Sequence, residues 1–412
     1  MPMAAGNRTM EQGRSSPSTV DWSNLPDDLL GMIRSRVAYQ CGRVRFAAVC
    51  RLWRAVASQH LAPPAIPLLV LSLHVWSKGE KHLYCPVEGR VLHVPVPTNL
   101  RNTRICGTYD GGWIAAIATP ATATLTIVNL FTSVEVTLSG KQMNMASRGD
   151  RRSRQLIRKI IFSEVPTSSG CILAALTTEH QNVALCRVGC PDGGWTIHRG
   201  CDTDELTDAV FHRGEFYGLT HSEKLIKFEI GVNKDGAPVV TDAHTLDVQW
   251  RGGPKTEKWF TTYIFELRGK LAVAVMTRWL QNHEPFFKVF ELTATTKEAL
   301  HYEWKGVPTL ADCALFLGQR CSSRVVHVQA GGHGVVEKNH IYFSNYRSIA
   351  SKEYQEFNEE AYLATSEDGE HIYCQKDPKS DGDGDDKERI PSVRYYSTSH
   401  AETPMWCFPP DF

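Results

Sequence analysis

Between Leu25 and Ala57 the apolar positions recur at helical spacing. Leu29, Leu30, Ile33 and Val37 fall within a stripe roughly 100° wide when each residue turns the chain by about 100°. Pro26 suits a first helical turn, where its missing N–H is not needed. Asp27 and Asp28 put negative charge at the helix start, and Arg34 and Arg36 put positive charge toward its end. Gly42 reads as a break. After it, Phe46, Val49, Cys50, Trp53, Val56 and Ala57 share one face, roughly 120° wide, of a second helix. Pro63 and Pro64 stop any further helix. The pattern predicts two amphipathic helices within 21–60, then a Pro-rich linker over 61–67.

From Leu68 onward the pattern changes to short β-like runs separated by Gly, Pro, Asn and Asp, such as "GGWIAAIA", "RKIIFSEV" and "GCILAALTT". Apolar runs flank tight turns at Gly214, Gly269 and Asn339, residue types that tolerate the positive φ of hairpin turns. Loose repetition of this kind predicts a mainly β chain, a β-propeller with loop-enlarged blades over 68–412. A pair of β-sandwiches is the alternative. After residue 60 a short helix is expected only at "SKEYQEFNEEA".

Composition narrows the classes. The chain has 412 residues, with 45 Lys+Arg against 45 Asp+Glu, so nothing global favours nucleic acid or an anionic membrane as partner. Residues 1–20 are polar and read as a disordered tail, not a signal peptide. The apolar run Leu61–Trp76 is too short to span a bilayer and holds three prolines. The 12 cysteines contain no CxxC pair and no cluster at zinc spacing, which points to reduced thiols, no metal and no cofactor. An intracellular location, cytoplasmic or nuclear, is therefore expected.

Residues 22–60 make a unit of about 40 residues, near the size below which a chain rarely folds without help. Burying one Leu, Ile or Phe contributes about 1.5–3 kcal/mol, and two short stripes meeting only each other leave part of that unused. Either the helices cap the following domain or a partner covers them. The residues "LPDDLLGMIRSRV…RVRFAAVCRLWRAVA" resemble an F-box. That resemblance implies docking on the Skp-type adaptor of SCF ubiquitin ligases, and through it on cullin and RING subunits. The matching positions proposed as adaptor contacts are Leu25, Pro26, Leu29, Leu30, Ile33, Phe46, Val49, Cys50 and Trp53.

The remainder resembles the C-terminal domain of plant F-box proteins of the KIB type, which are read as β-propellers. The carrying stretches are "DGGWIAAIA…LTIVNLFTSVEVTL", "ALCRVGCPDGGWTI", "DAVFHRGEFYGLTHSEKLIKFEI", "KNHIYFSN" and "MWCFPPDF". The resemblance implies a non-catalytic substrate-recognition subunit whose propeller holds a target protein. A ligase-independent interaction scaffold with a degenerate F-box is the alternative, and an enzyme with a propeller-borne pocket is a third class.

The sequence offers no catalytic constellation: GxSxG, HExxH and GxxxxGK[ST] are absent. "AGGHGVVEK" reads as a loop before the strand "HIYFSN" rather than an anion cradle. The acidic run over 377–389 fails the ligand spacing of a calcium loop and reads as a disordered loop. Arg148, Arg151, Arg152, Arg154, Arg158 and Lys159 crowd one segment. It reads as a solvated loop, a contact for an acidic or phosphorylated partner, or a nuclear-import signal. Most tryptophans are expected in the core between blades, with Trp259 and Trp279 as surface candidates.

Overall fold

The computed structural model describes residues 22–37, 40–60, 65–72, 81–92, 97–101, 103–118, 124–143, 157–177, 183–190, 193–199, 205–251, 258–278, 285–294, 301–328, 336–346, 360–365, 371–376, 389–397 and 403–410. The tail 1–20, the glycine-rich stretch 330–335, the acidic run 377–388, Arg148, Arg151, Arg152, Arg154 and the side chains of Trp259 and Trp279 lie outside them. Among the described residues no helix is long and apolar enough to cross a membrane.

Three short helices come first: α1 (Asp27–Arg34), α2 (Gln40–Ala48) and α3 (Arg51–Gln59). Where the stripe from Phe46 to Ala57 predicts one helix, there are two. Cys50 is fully extended, with φ −159° and ψ 179°, and interrupts the helical hydrogen bonding. Gly42 is no break either; it lies inside α2.

Strands then form six sheets among the described residues. The first holds β1 (Leu68–Ser72), β2 (Lys81–Cys85) and β3 (Arg90–Leu92), and the second β4 (Thr103–Tyr109), β5 (Trp113–Ala118) and β6 (Leu125–Asn129). After the one-turn α4 (Gly140–Met143), the third holds β7 (Ile157–Phe162), β8 (Ile172–Thr177), β9 (Val183–Arg187) and β10 (Thr196–His198). The fourth holds β11 (Leu206–His212), β12 (Glu215–Thr220), β13 (Leu225–Val232) and β14 (Pro238–Leu246). The fifth runs from β16 (Lys258–Leu267) through β17 (Lys270–Arg278), β18 (Pro285–Ala294) and β19 (Tyr302–Val307) to a parallel edge strand, β15 (Val248–Arg251). In the sixth, β20 (Cys313–Gly318) pairs with β21 (Arg324–His327) and, in parallel, with β22 (His340–Tyr346). Beyond β22 lie β25 (Ser392–Ser397), β24 (His371–Lys376) and β23 (Glu360–Thr365). The last strand, β26 (Met405–Cys407), returns to pair with β1.

The core explains why so many strands read as continuous apolar runs. In the second to sixth sheets the inner strands are covered on both faces by neighbouring sheets, so alternate side chains enter different cores. Ile160 joins Cys106, Ala115 and Ile127 of the second sheet, whereas Ile161 joins Leu206, Phe216 and Phe228 of the fourth. Likewise Leu315 packs with Phe265 and Val289, whereas Phe316 packs with Leu69 and Trp406. Tyr217 and Leu219 meet Ile264 and Trp304 between the fourth and fifth sheets. The cores thus pass from sheet to sheet around a closed ring, a β-propeller. At Gly107 the approach of β4 to β7 is so close that a Cβ would lie 2.5 Å from the Ile160 carbonyl oxygen.

Two sequence-predicted turns are two-residue hairpins. Arg213 and Gly214 (φ 51° and 81°) join His212 to Glu215, and Arg268 and Gly269 (φ 51° and 76°) join Leu267 to Lys270. Asn339 also has positive φ, 58°, but it leads into β22, which pairs in parallel, so it makes no hairpin. Part of "SKEYQEFNEEA" falls outside the described residues, and Glu360 and Ala361 start strand β23, not a helix. Trp113, Trp195, Trp304 and Trp406 are buried, as core packing predicts.

Trp406 closes the ring. It is fully buried, donates from Nε1 to the Leu317 carbonyl at 2.9 Å, and sits edge-on to Phe316 and Tyr395. Trp406→Ala will lower stability by about 3–5 kcal/mol, read as a lower denaturant midpoint with the slope retained. Val232→Ala, on an exposed position of β13, will stay within about 0.5 kcal/mol of the parent.

Candidate functional site: the N-terminal helical unit

The helical unit has a very small core. Leu30 from α1, Phe46 from α2 and Val56 from α3 are its buried apolar residues, with Leu25, Ile33, Trp53 and Ala57 packed half-buried around them. Helix α1 starts where Leu30 N–H donates to the Pro26 carbonyl at 3.1 Å. At the α2–α3 junction Arg54 Nε donates to the Ala47 carbonyl at 3.1 Å, satisfying a helix-end acceptor that α2 leaves open. Trp53 packs on Phe46 with ring centroids 4.7 Å apart and donates from Nε1 to the Trp22 carbonyl at 3.1 Å. Arg45 reaches Glu88 of the first sheet at 3.6 Å. Arg45 is exposed and Glu88 half-buried, so solvent still screens one end of the pair.

What this core leaves out is the main feature of the unit. Trp22, Leu29, Met32, Val44, Val49 and Leu52 are all exposed, between 37% and 61%. The whole propeller adds only Val134, Val165, Ile197 and Val232 to the large exposed apolar residues described. Leu29 and Met32 are three residues apart on α1, hence on one face, and Val49 and Leu52 flank the α2–α3 junction. Each contributes about 1.5–3 kcal/mol on full burial. Association costs about 4–15 kcal/mol, so a partner must cover most of the set rather than one or two.

Arg34 adds a second sign of incompleteness. It is buried, yet its Nε and Nη1 have no hydrogen-bond partner. Burial pulls its pKa below the usual arginine value. Leaving two buried guanidinium nitrogens without partners is costly.

The sequence-predicted contact residues therefore divide. Pro26, Leu29 and Val49 are exposed, and Leu25, Ile33, Cys50 and Trp53 are half-buried. Leu30 and Phe46 lie inside the unit's own core and hold it together rather than face outward. Sequence reasoning missed Trp22, Met32, Val44 and Leu52. Met32 is the one with a readable signal, because it stands one turn beyond Leu29.

The basic segment needs correcting where it is described. Arg158 and Lys159 are not loop residues but part of strand β7. Lys159 Nζ is 2.5 Å from Asp208 Oδ1, both side chains being under 5% exposed, so this charge is consumed inside the propeller. Asp208 in turn accepts from Ala209 N–H at 2.8 Å and from Ile264 N–H at 3.2 Å. Arg158 donates to the Leu206 and Thr207 carbonyls. The pair joins the third, fourth and fifth sheets and is unavailable to a partner.

Residues 83–373 match the family model described as the KIB1-4 beta-propeller. A protein of Arabidopsis thaliana that carries the provisional name of F-box protein is 20% identical over 345 residues, covering 79% of this chain and 88% of the relative. Among solved structures, the Cps50 (Swd1) beta-propeller domain of Myceliophteria thermophila is 11% identical with a TM-score of 0.26, covering 44% of this chain and 54% of that one. Hsv2 of Kluyvelomyces marxianus is 10% identical with a TM-score of 0.30, covering 57% and 80%. Overlap at that level adds nothing to a fold that rests on this chain's own sheet pairing.

Core and surface roles separate by substitution. Leu30→Ala will cost about 2–5 kcal/mol within the helical unit and speed proteolytic cleavage between residues 22 and 60. Leu29→Asp, at an exposed position, will leave that cleavage rate unchanged.

Proposed function

The chain belongs to the KIB1-4 beta-propeller family, and we propose that it is the substrate-recognition subunit of an SCF-type ubiquitin ligase. The observation that carries this reading is the concentration of exposed large apolar side chains over residues 22–52, beside a core that among the described residues holds three buried apolar side chains. The F-box-like order of residues over 25–57 and the F-box name of the Arabidopsis relative support it. A Skp-type adaptor covers Leu29, Met32, Val49 and Leu52 and brings the cullin and RING subunits with it. The propeller holds a target protein by the loops that join its strands.

Ubiquitin transfer then follows from proximity. Holding a target lysine beside the recruited conjugating enzyme raises its effective concentration without new chemistry. This role asks for no catalytic group in the chain itself. We also place the chain inside the cell, cytoplasmic or nuclear, a setting suited to the ten described cysteines, all free thiols.

Co-purification with a Skp-type adaptor tests the proposal. The full chain will retain the adaptor, and the variant carrying Leu29→Asp and Leu52→Asp will lose it while keeping its circular dichroism and unfolding midpoint. Trp53 is unsuited to this test because it supports Phe46. Adaptor binding that survives the double substitution would refute the assigned surface. A folded parent chain that binds targets but never the adaptor would make it a ligase-independent scaffold.

A further inference from the structure

The sixth sheet brings His327 against the adjacent residues Asp312 and Cys313, three side chains of metal-ligating type. Cys313 opens β20, His327 closes β21, and the antiparallel register places them directly opposite each other. Asp312 stands one residue before, with its carbonyl accepting from Val328 N–H at 2.8 Å, so the ladder continues past the pair. Cys313 Sγ lies 3.8 Å from His327 Nδ1 and 3.7 Å from Asp312 Oδ1, and His327 Nδ1 is 3.0 Å from Asp312 Oδ2. Among the described residues this is the one group of three such donors drawn within 4.8 Å of one another.

The backbone beneath the group is fixed on both sides. Cys313 N–H donates to the Leu310 carbonyl at 3.1 Å across a turn in which Ala311 holds φ 57°. The Asn339 side chain accepts from Leu310 N–H at 2.7 Å and from the Thr309 hydroxyl at 3.0 Å, while Asn339 N–H donates to the Cys313 carbonyl at 2.7 Å. Sulfur, carboxylate and the opposing strand are thus held in register before any ligand arrives, which keeps the ordering cost of binding small.

We propose that Asp312, Cys313 and His327 bind one borderline divalent cation, zinc in the first instance. A thiolate, an imidazole and a carboxylate are the donor set such an ion takes. With ligand bonds of about 2.0–2.3 Å, a tetrahedral ion holds its donors about 3.3–3.7 Å apart. The observed separations of 3.0, 3.7 and 3.8 Å bracket that range. Sγ is nearly equidistant from the two ring nitrogens, 3.8 and 3.9 Å, so the imidazole lies side-on to the sulfur and no direct thiol–imidazole proton transfer is aligned. His327 is exposed, and a ring rotation aims Nδ1 at a shared ion.

Charge also balances. As the sulfur–metal bond forms, the Cys313 thiol releases its proton to solvent, and one thiolate with one carboxylate neutralises the dication. The imidazole binds uncharged. Asp312 and His327 face solvent, so water completes the tetrahedron. The bound ion clips the start of β20 to the end of β21.

Titration of the reduced full chain with cobalt(II), followed by zinc, tests this. We expect a thiolate-to-cobalt charge-transfer absorption that saturates at one ion per chain and disappears when zinc displaces the cobalt. Cys313→Ser will abolish the band, and His327→Ala will weaken binding by at least about ten-fold. His327 is exposed, so its variant stays folded even where Cys313→Ser does not, and circular dichroism checks this. Absence of the band in the parent chain, or an unchanged titration in His327→Ala, would overturn the proposal.

Discussion

The pairing of β26 with β1 is the constraint on which the rest of the structure depends. Leu68 opposes Cys407, Leu69 opposes Trp406 and Val70 opposes Met405, so the first and the last described strand complete one sheet. Trp406 then fills the space between the first and sixth sheets, in a core that also takes side chains from the second. Without that closure, the faces that Phe316, Tyr342 and Tyr395 bury would stand open, and each neighbouring sheet would lose one of its two covers. Contacts this distant in sequence repay their loop-closure entropy only late in folding. The reward is a ring whose inner strands are buried on both faces, while outer strands such as β14 remain exposed.

The helical unit is built on the opposite principle. Among the described residues Leu30, Phe46 and Val56 form its buried core, while twice as many large apolar residues face solvent. Arg34 sits buried with unsatisfied nitrogens. Among the described residues the ion pair from the unit to the first sheet, Arg45 with Glu88, has its arginine in solvent and adds little to fix the unit there. Low local stability and exposed apolar surface belong together at places where a second protein finishes the fold. The propeller is therefore closed on itself, whereas the helical unit keeps apolar surface in solvent.

What was legible in the sequence follows from the range of the interaction. The turns at Gly214 and Gly269 could be read because a two-residue hairpin is specified by the residues within it. The apolar stripes of α1 and α3 were legible for the same reason. The interruption at Cys50 was not, since Phe46, Trp53 and Val56 reach one cluster whether the helix is continuous or broken. Lys159 read as part of a basic surface because its partner, Asp208, lies on another sheet. The Asp312–Cys313–His327 group was invisible for a related reason: the hairpin register, not the spacing, makes Cys313 and His327 neighbours. Among the exposed residues, Val44 and Leu52 sit off the apolar stripes and carried no periodic signal.

Amide hydrogen exchange on the full chain, alone and with a Skp-type adaptor, addresses most directly whether the helical unit is completed by a partner. In the free chain, α1–α3 should exchange far faster than β1 and β26. Adaptor should slow exchange in α1 and around the α2–α3 junction and leave the sheets unchanged. Helices that are as well protected alone as in the adaptor's presence would contradict the proposal that a partner completes them.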